Sequence, residues 1–329
     1  MQQNRVFITR PIPDLGLKLL REAGIVFTQW TEKRELTPEE LIAHCKDADA
    51  LMSVGPNKIN KRFLEASSHL KVVSLHAVGF DNVEVEAATG LGIPIGNTPG
   101  VLSGATADTS FLLMLAVSRK AFFHHKRIAR GDWKFFEPKA NLGIELQGRT
   151  LGIYGLGKIG TEMAKRCVGA YAMKVIYHNR HRNEAGEKET GASYVTFDEL
   201  LQQSDVLSVH TSLTPQTRGV FNLEHFRKMK PGAIFINAAR GSIHNESDLK
   251  QALDKGMIWG AGLDVTHPEP MDKNNPLLDM PNVAVLPHIG SATQETRDAM
   301  SRLAVENIIA ALKGDRIPYV VNPEVYEGK

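Results

Sequence analysis

Cysteine is nearly absent, with Cys45 and Cys167 the only two among 329 residues. They lie far apart and make no CxxC or Cys/His spacing, so a disulfide framework or a thiolate metal site is not expected, and both read as small apolar core residues. Long hydrophobic runs are missing too. The longest in the first half, 111–117, falls far short of a bilayer span, and the opening MQQNRVFITRP carries no signal-peptide core. A cytoplasmic protein with no membrane partner is expected. Charge of one sign is also not in excess: 39 Lys and Arg against 37 Asp and Glu leave a net charge of +2. No basic block is long enough to serve as an arm for a polyanion, so nucleic acid is not indicated. No repeat of solenoid period and no low-complexity tract is present.

What is present is an ordinary globular composition, 42% hydrophobic and 23% charged, in a chain longer than one core normally supports. Short β-branched runs alternate with amphipathic stretches: a strand at Arg5–Arg10, a helix near Asp14–Ala23, a strand at Ile25–Trp30, then a helix opening at Thr37-Pro38-Glu39-Glu40. An N-cap threonine, a proline at the first helical position and a glutamate at the third coincide there. Buried strands follow at Ala50–Val54, Val72–His76 and Ile93–Gly96, and an apolar helix from Leu102 to Arg119 comes after the turn Asn97-Thr98-Pro99-Gly100. A second series of strands runs through Thr150–Tyr154, Lys174–Tyr177, Val206–His210, Ala233–Asn237, Gly260–Asp264 and Val283–Leu286. A helix at Thr293–Leu312 and a tail at Ile317–Glu324 close the chain, the tail returning to the first domain. This alternation predicts an α/β protein of two Rossmann-like or flavodoxin-like doubly wound parallel-sheet domains, with the active site in the cleft between them. The expected boundaries are 1–99 with 290–329 for the substrate-binding domain and 100–289 for the dinucleotide-binding one.

The segment Leu151 to Gly160 supplies GxGxxG directly after a strand and ahead of a helical pattern. In that context Gly155 permits the tight turn, Gly157 lets the backbone approach a pyrophosphate, and Gly160 allows close packing of helix on strand, while the helix amino terminus, with Leu156, Lys158 and Ile159, offers N–H groups to phosphates. The end of the next strand normally carries an acid that bonds the adenosine ribose. Here it reads Tyr177-His178-Asn179-Arg180-His181-Arg182, and the first carboxylate is Glu184. Arg180 can meet a 2′-phosphate in a fork, Asn179 can donate to it and Arg182 can add charge, so NADP is the expected cofactor, with NAD possible. The plainer reading makes these arginines solvated loop cations.

Three further strand ends carry unusual residues: Arg240 in Asn237-Ala238-Ala239-Arg240-Gly241, Glu269 in the block from Asp264 to Pro270, and His288 in Pro287-His288-Ile289-Gly290. Reducing a 2-keto acid takes a cation for the carboxylate, a proton donor for the keto oxygen and an acid that keeps the donor charged. Arg240, His288 and Glu269 meet those needs. Singly, each has a structural explanation: a surface bridge, a satisfied core histidine, a turn braced by prolines.

Across nearly its whole length the sequence resembles the D-isomer-specific 2-hydroxyacid dehydrogenases, through the glycine loop, the block Met229-Lys230-Pro231-Gly232-Ala233 leading into Asn-Ala-Ala-Arg-Gly, the Asp264–Pro270 block and Pro287-His288-Ile289-Gly290. The nearest resemblance within the family is to glyoxylate/hydroxypyruvate reductases and 2-ketogluconate reductases, through Ala77-Val78-Gly79-Phe80-Asp81-Asn82 and the Asn179-Arg180 pair. It implies NADPH-dependent reduction of small 2-keto acids to D-2-hydroxy acids, with Arg240 binding substrate, His288 as acid and base, and Glu269 orienting His288 and raising its pKa. It places Ala77, Val78 and Gly79 as a backbone cradle for the substrate carboxylate. Thr106, His210, Thr211, Pro215, Thr217, Ala238, Asp264 and Gly290 fall at the cofactor, Asp264 near the nicotinamide amide. No metal is implied. His76, beside the cradle, is either an added donor or a strand residue, and Leu51–Gly55 and Met271–Asn275 line or cover the substrate pocket. Phe136 stands where some of these reductases place a tryptophan that reaches a partner's active site. The apolar helix from Leu102 and the segment Trp133–Phe136 suit a homodimer interface, or else core packing. The alternative from another class is a dinucleotide-sensing, corepressor-like binding protein.

Overall fold

The computed structural model describes residues 3–327. Its first segment runs β1 (Arg5–Ile8), α1 (Asp14–Glu22), β2 (Val26–Gln29), α2 (Pro38–Cys45), β3 (Ala50–Ser53), α3 (Lys61–Ala66), β4 (Val72–Leu75), α4 (Val85–Gly90) and β5 (Ile95–Gly96). These strands make one wholly parallel five-stranded sheet in the order β2-β1-β3-β4-β5. A parallel sheet of this order is covered on both faces, so its central strands are apolar throughout. Alternation along β1 shows the consequence: Val6 and Ile8 join one core with Leu20 and Met52, whereas Phe7 joins the other with Leu51 and Val73. The expected start of α2 is present in full, since Thr37 Oγ1 accepts from Glu40 N at 3.2 Å and Glu40 Oε2 accepts from Thr37 N at 2.9 Å.

After Leu102 the chain builds a second unit that ends at Gly290. It comprises α5 (Ser103–Ser118), α6 (Ala121–Ala129), β6 (Thr150–Tyr154), α7 (Lys158–Tyr171), β7 (Lys174–His178), α8 (Glu184–Thr190), β8 (Ser193–Tyr194), α9 (Phe197–Gln203), β9 (Val206–Val209), α10 (Leu223–Lys228), β10 (Ile234–Asn237), α11 (Glu246–Asp254), β11 (Gly260–Leu263) and β12 (Val283–Val285). The seven strands are parallel in the order β12-β11-β10-β9-β6-β7-β8. The order reverses between β6 and β9, where an open parallel sheet leaves a crevice beyond its carboxyl ends. α5 covers one face, with Leu113, Met114 and Val117 buried in the same core as Ile153 and Ile234.

The chain rejoins the first unit at Ser291. There α12 (Gln294–Lys313) places Ala304, Val305 and Ile308 against Val6, Ile8 and Met52, and Ser74 Oγ donates to the Ala304 carbonyl at 2.9 Å. The tail then ties to β5: Val321 N donates to Ile95 O at 2.7 Å, and Asn322 Oδ1 accepts from Ile95 N at 2.8 Å.

Several elements have no forecast in the sequence, among them α6 and β8. What reads as one apolar helix stops at Ser118, and α6 starts beyond a left-handed Lys120 (φ 51°) with no buried residue of its own. β8 is a two-residue exposed edge strand. Both lack the apolar periodicity that sequence reading depends on. Among the described residues no helix is long and apolar enough to cross a membrane.

Candidate active site

The glycine loop joins β6 to α7 in the second unit. Gly155 has φ +104°, and a Cβ there would lie 2.8 Å from the backbone of His210 and Thr211, so only glycine lets the turn pass this close to the end of β9. A Cβ at Gly160 would lie 2.6 Å from the Gly155 carbonyl, whereas one at Gly157 meets nothing within 4 Å. Open space beside Gly157, the N-cap of a 14-residue helix that no side chain caps, is the arrangement a pyrophosphate needs. Lys158 stands exposed at that end and Ile159 is half-buried. The residues present therefore fit a dinucleotide.

At the end of β7 the assignments divide. Asn179 clamps the glycine loop, its Oδ1 accepting from Leu156 N at 2.7 Å and its Nδ2 donating to Leu156 O at 3.3 Å. Arg182 is bound in a fork by Glu187, at 2.7 and 2.8 Å. Arg180 is exposed and, among the described residues, makes no hydrogen bond or ion pair. Glu187 was not singled out in the sequence, because it reaches Arg182 only once α8 turns back. His210 hydrogen-bonds Ser208 Oγ through Nε2 at 2.8 Å, and burial pushes its pKa down to about 4, leaving it neutral. Thr217 Oγ1 donates to Ser212 O at 2.8 Å and accepts from Thr214 N at 2.8 Å, which folds the loop through Thr211 and Pro215.

At the ends of β10, β11 and β12 the structure brings together Glu269 and His288, whose Oε2 and Nδ1 lie 3.0 Å apart. The other Glu269 oxygen accepts from Thr266 N at 3.0 Å. Burial alone favours the neutral acid, but the bond and charge of His288, the Thr266 N–H and the Arg240 cation together hold Glu269 below its ordinary value. It is ionised at neutral pH. Among the described residues His288 Nε2 has no partner, and the ring is half-exposed.

His288 sits in left-handed backbone (φ 53°), a strained conformation for a side-chain-bearing residue. Asp264 holds it there. Its backbone carbonyl accepts from His288 N, and its two carboxylate oxygens accept from Ile289 N and Gly290 N, each at 2.8 Å. Thr106 Oγ1 fixes the Gly290 carbonyl from α5 at 3.0 Å. Burial pushes the Asp264 pKa up against these N–H groups. Asp264, expected near a nicotinamide amide, is a buried clamp on the histidine turn.

Arg240 leaves β10 in extended backbone, and its Nη1 donates to Ala239 O at 2.7 Å. The fully buried Asn237 anchors this loop: Nδ2 donates to Arg240 O at 2.9 Å and to His244 Nδ1 at 3.0 Å, and Oδ1 accepts from Ala239 N at 3.0 Å. A side chain at Gly241 would collide with the Thr266 carbonyl, so the Arg240 loop rests directly on the segment that carries Glu269. Asn237 and His244 carry no role in the sequence reading; the available signal was a polar residue ending an otherwise apolar strand. Among the described residues no group of three or more His, Cys, Asp and Glu could hold a metal ion.

In the first unit Ala77, Val78 and Gly79 are half-buried beyond β4, and among the described residues no acceptor faces the N–H of Val78 or Gly79. The Val78 carbonyl accepts from Asn97 Nδ2 at 2.9 Å, which orients the segment. His76 is a buried strand-end residue, its Nε2 at 3.0 Å from Ser301 Oγ. Burial, with the Arg297 charge, lowers its pKa to about 4. Leu51, Met52 and Ser53 are buried in β3, whereas Val54 is half-buried and Gly55 and residues 272–274 are exposed.

Residues 111–290 match the family described as D-isomer specific 2-hydroxyacid dehydrogenase, NAD binding domain. The chain is 42% identical over 325 residues to a glyoxylate reductase of Thermococcus litoralis, covering 98% of this chain and 97% of that protein. A glyoxylate reductase structure from Paecilomyes thermophila superposes with a TM-score of 0.86 at 33% identity, covering 98% and 99% of the two chains. An NADPH-dependent glyoxylate/hydroxypyruvate reductase of Sinorhizobium meliloti, solved with NADP and malonate, gives 0.85 at 30% identity and 98% coverage of each.

Proposed function

This chain belongs to the D-isomer-specific 2-hydroxyacid dehydrogenases, an oxidoreductase family, and on that premise we propose that it reduces glyoxylate, hydroxypyruvate and similar short 2-keto acids to D-2-hydroxy acids with NADPH. The observation that carries the reading is the Glu269–His288 pair at 3.0 Å, set beyond β11 and β12 beside the β10 end that carries Arg240. Names of the relatives support the substrate class, and the S. meliloti structure supports the cofactor.

The glycine loop with Leu156, Lys158 and Ile159 would hold the pyrophosphate, Arg180 the ribose phosphate, and Thr106, His210, Thr211, Pro215, Thr217, Ala238 and Gly290 would flank the remainder. When bound, NADPH supplies the hydride. The N–H groups of Val78 and Gly79, which face no acceptor among the described residues, and the Arg240 guanidinium are each suited to a carboxylate. His288 donates a proton from Nε2 to the keto oxygen, while ionised Glu269 receives Nδ1–H and fixes the ring. Because the donor must be protonated, reduction weakens as pH rises and oxidation of the hydroxy acid strengthens.

We further propose a cytoplasmic homodimer. Two buried, unbridged cysteines fit a reducing compartment. Trp133, Phe135 and Phe136 are 67%, 68% and 84% exposed, an apolar cluster that a second copy would cover.

Initial rates of NADPH and NADH oxidation by the purified protein with glyoxylate, hydroxypyruvate, pyruvate and 2-ketogluconate test the reading. Turnover is expected with NADPH and at least one of the first two. No turnover with either cofactor, despite measurable binding, would replace it with a dinucleotide-sensing role; 2-ketogluconate as the best substrate would move the reading to that reductase class.

A further inference from the structure

We infer that Glu187 sets cofactor discrimination by holding Arg182 away from the adenosine ribose, so that Arg180 alone recognises the 2′-phosphate. The inference rests on the NADPH reading above and assigns the division of labour within it. Sequence order puts both arginines on one loop after β7, two residues apart, where each could serve. The structure separates them. Arg182 Nε and Nη2 meet Glu187 Oε1 and Oε2 at 2.7 and 2.8 Å, a full fork-to-fork pair. The same carboxylate accepts from Tyr177 OH at 2.5 Å, and the Tyr177 oxygen in turn accepts from Asn183 N at 2.8 Å.

Asn183 extends the chain to the glycine loop, its Nδ2 donating to Leu156 O at 2.7 Å and its Oδ1 capping α8 at Gly186 N. Glu187 is thus the hub of a network that begins at the phosphate-binding turn and ends at Arg182. Its side chain is only 15% exposed although it belongs to a surface helix. A carboxylate so placed cancels the charge of Arg182 locally. Arg180, exposed and without a hydrogen bond or ion pair among the described residues, keeps its full set of donors. The sequence, with no acid before Glu184, presents two free cations; the fold leaves one and supplies a compensating acid from the next helix.

Dissociation constants of NADPH and NADH, read by nicotinamide fluorescence on the full-length protein without substrate, test this. Arg180→Gln is expected to cut the NADPH-over-NADH preference by on the order of 10- to 100-fold, the worth of a charge-assisted fork. Glu187→Gln keeps an acceptor for Tyr177 but releases Arg182, and should raise the preference roughly three- to tenfold. Adding Arg182→Gln to Glu187→Gln removes both charges and should return the preference to within about twofold of the wild type, a reversal that a merely structural network would not produce. A folded Glu187→Gln protein with no gain, or a double variant that loses preference as Arg180→Gln does, overturns the inference. If Glu187→Gln fails to fold, Arg182→Gln decides: it should lose less than Arg180→Gln, and an equal loss overturns. A wild type without NADPH preference refutes the cofactor reading instead, while a rise in NADPH affinity in Glu187→Gln would still show the restraint on Arg182.

Discussion

Replacing Asn237 by alanine should damage stability and substrate binding together while sparing the cofactor. Asn237 is fully buried at the end of β10 and spends its whole amide on three partners: Arg240 O, His244 Nδ1 and Ala239 N, at 2.9, 3.0 and 3.0 Å. Because the amide donates, His244 accepts through Nδ1, consistent with burial pushing its pKa down to about 4 and keeping it neutral. Three neutral hydrogen bonds at roughly 0.5–1.5 kcal/mol each bound the loss, and the void left by truncation adds to it, so an unfolding penalty of about 3 kcal/mol is expected. Urea unfolding followed by circular dichroism reads this. The functional part is separate: with its backbone anchor gone, Arg240 is held less well, and KM for the keto acid should rise on the order of tenfold, the equivalent of about 1.4 kcal/mol. The NADPH dissociation constant should stay within about twofold, since the glycine loop shares none of these bonds. Asn237→Asp adds a control with a sign. The new carboxylate keeps the bond from Ala239 N and can accept from the Nδ1–H tautomer of His244, but it repels Arg240 O. A carboxylate beside the ring also favours the His244 cation, so this variant should gain stability relative to wild type as pH falls. An alanine variant that loses less than about 1 kcal/mol with unchanged KM would show that Asn237 does not position Arg240.

His288→Ala should lower kcat by roughly 10²–10⁴-fold with NADPH binding retained; a variant keeping most of its turnover would remove His288 from the mechanism. Buried His76 and His244 both have pKa values lowered from 6.5 to about 4 by burial. The unfolded chain binds those protons first, so folding stability should fall as pH drops from 6.5 towards 4, by on the order of 3 kcal/mol per histidine at the acid end. Urea midpoints measured across that window check it, and a flat profile would mean that neither ring stays neutral in the fold. Thr37→Ala removes the capping box of α2 and should cost about 1 kcal/mol in thermal unfolding without altering kinetics; altered kcat would tie that helix to the site.

Strand and helix periodicity, the Thr37 box and the glycine loop were legible because each is a local pattern with a local cause. The second sheet's order was foreshadowed by the same alternation, since right-handed crossovers leave few topologies. Strand ends were read about one residue long, at His210, Asp264 and Leu286. α6 was hidden by having no buried face. At the site, the residue types Arg240, Glu269 and His288 stood out, but partners chosen by the fold did not. Glu187 lies across a turn from Arg182, and nothing in the spacing announces the pair. Of the segment Leu51–Gly55, expected to line or cover the pocket, Leu51 and Met52 are buried, because a parallel sheet buries both faces of such a strand.

Asn237 and Asp264 show what polar residues at strand ends can do for the loops beyond them. They are neighbours across β10 and β11, Asp264 N donating to Asn237 O at 2.9 Å, and each turns its side chain back to bind the loop that follows its own or the next strand. Asn237 thereby sets the Arg240 loop, and Asp264 the left-handed turn at His288. A ligand-binding role would leave those donors and acceptors unpaired in the free protein, at a cost of about 1–3 kcal/mol for each buried group. Scaffolding satisfies them permanently. Arg240 and His288 are thus held by two buried residues at strand ends, Asn237 in β10 and Asp264 just beyond β11. For the same reason an Asp264→Asn change, which puts an amide donor opposite one of the turn N–H groups, should loosen His288 more than it alters any contact with a ligand.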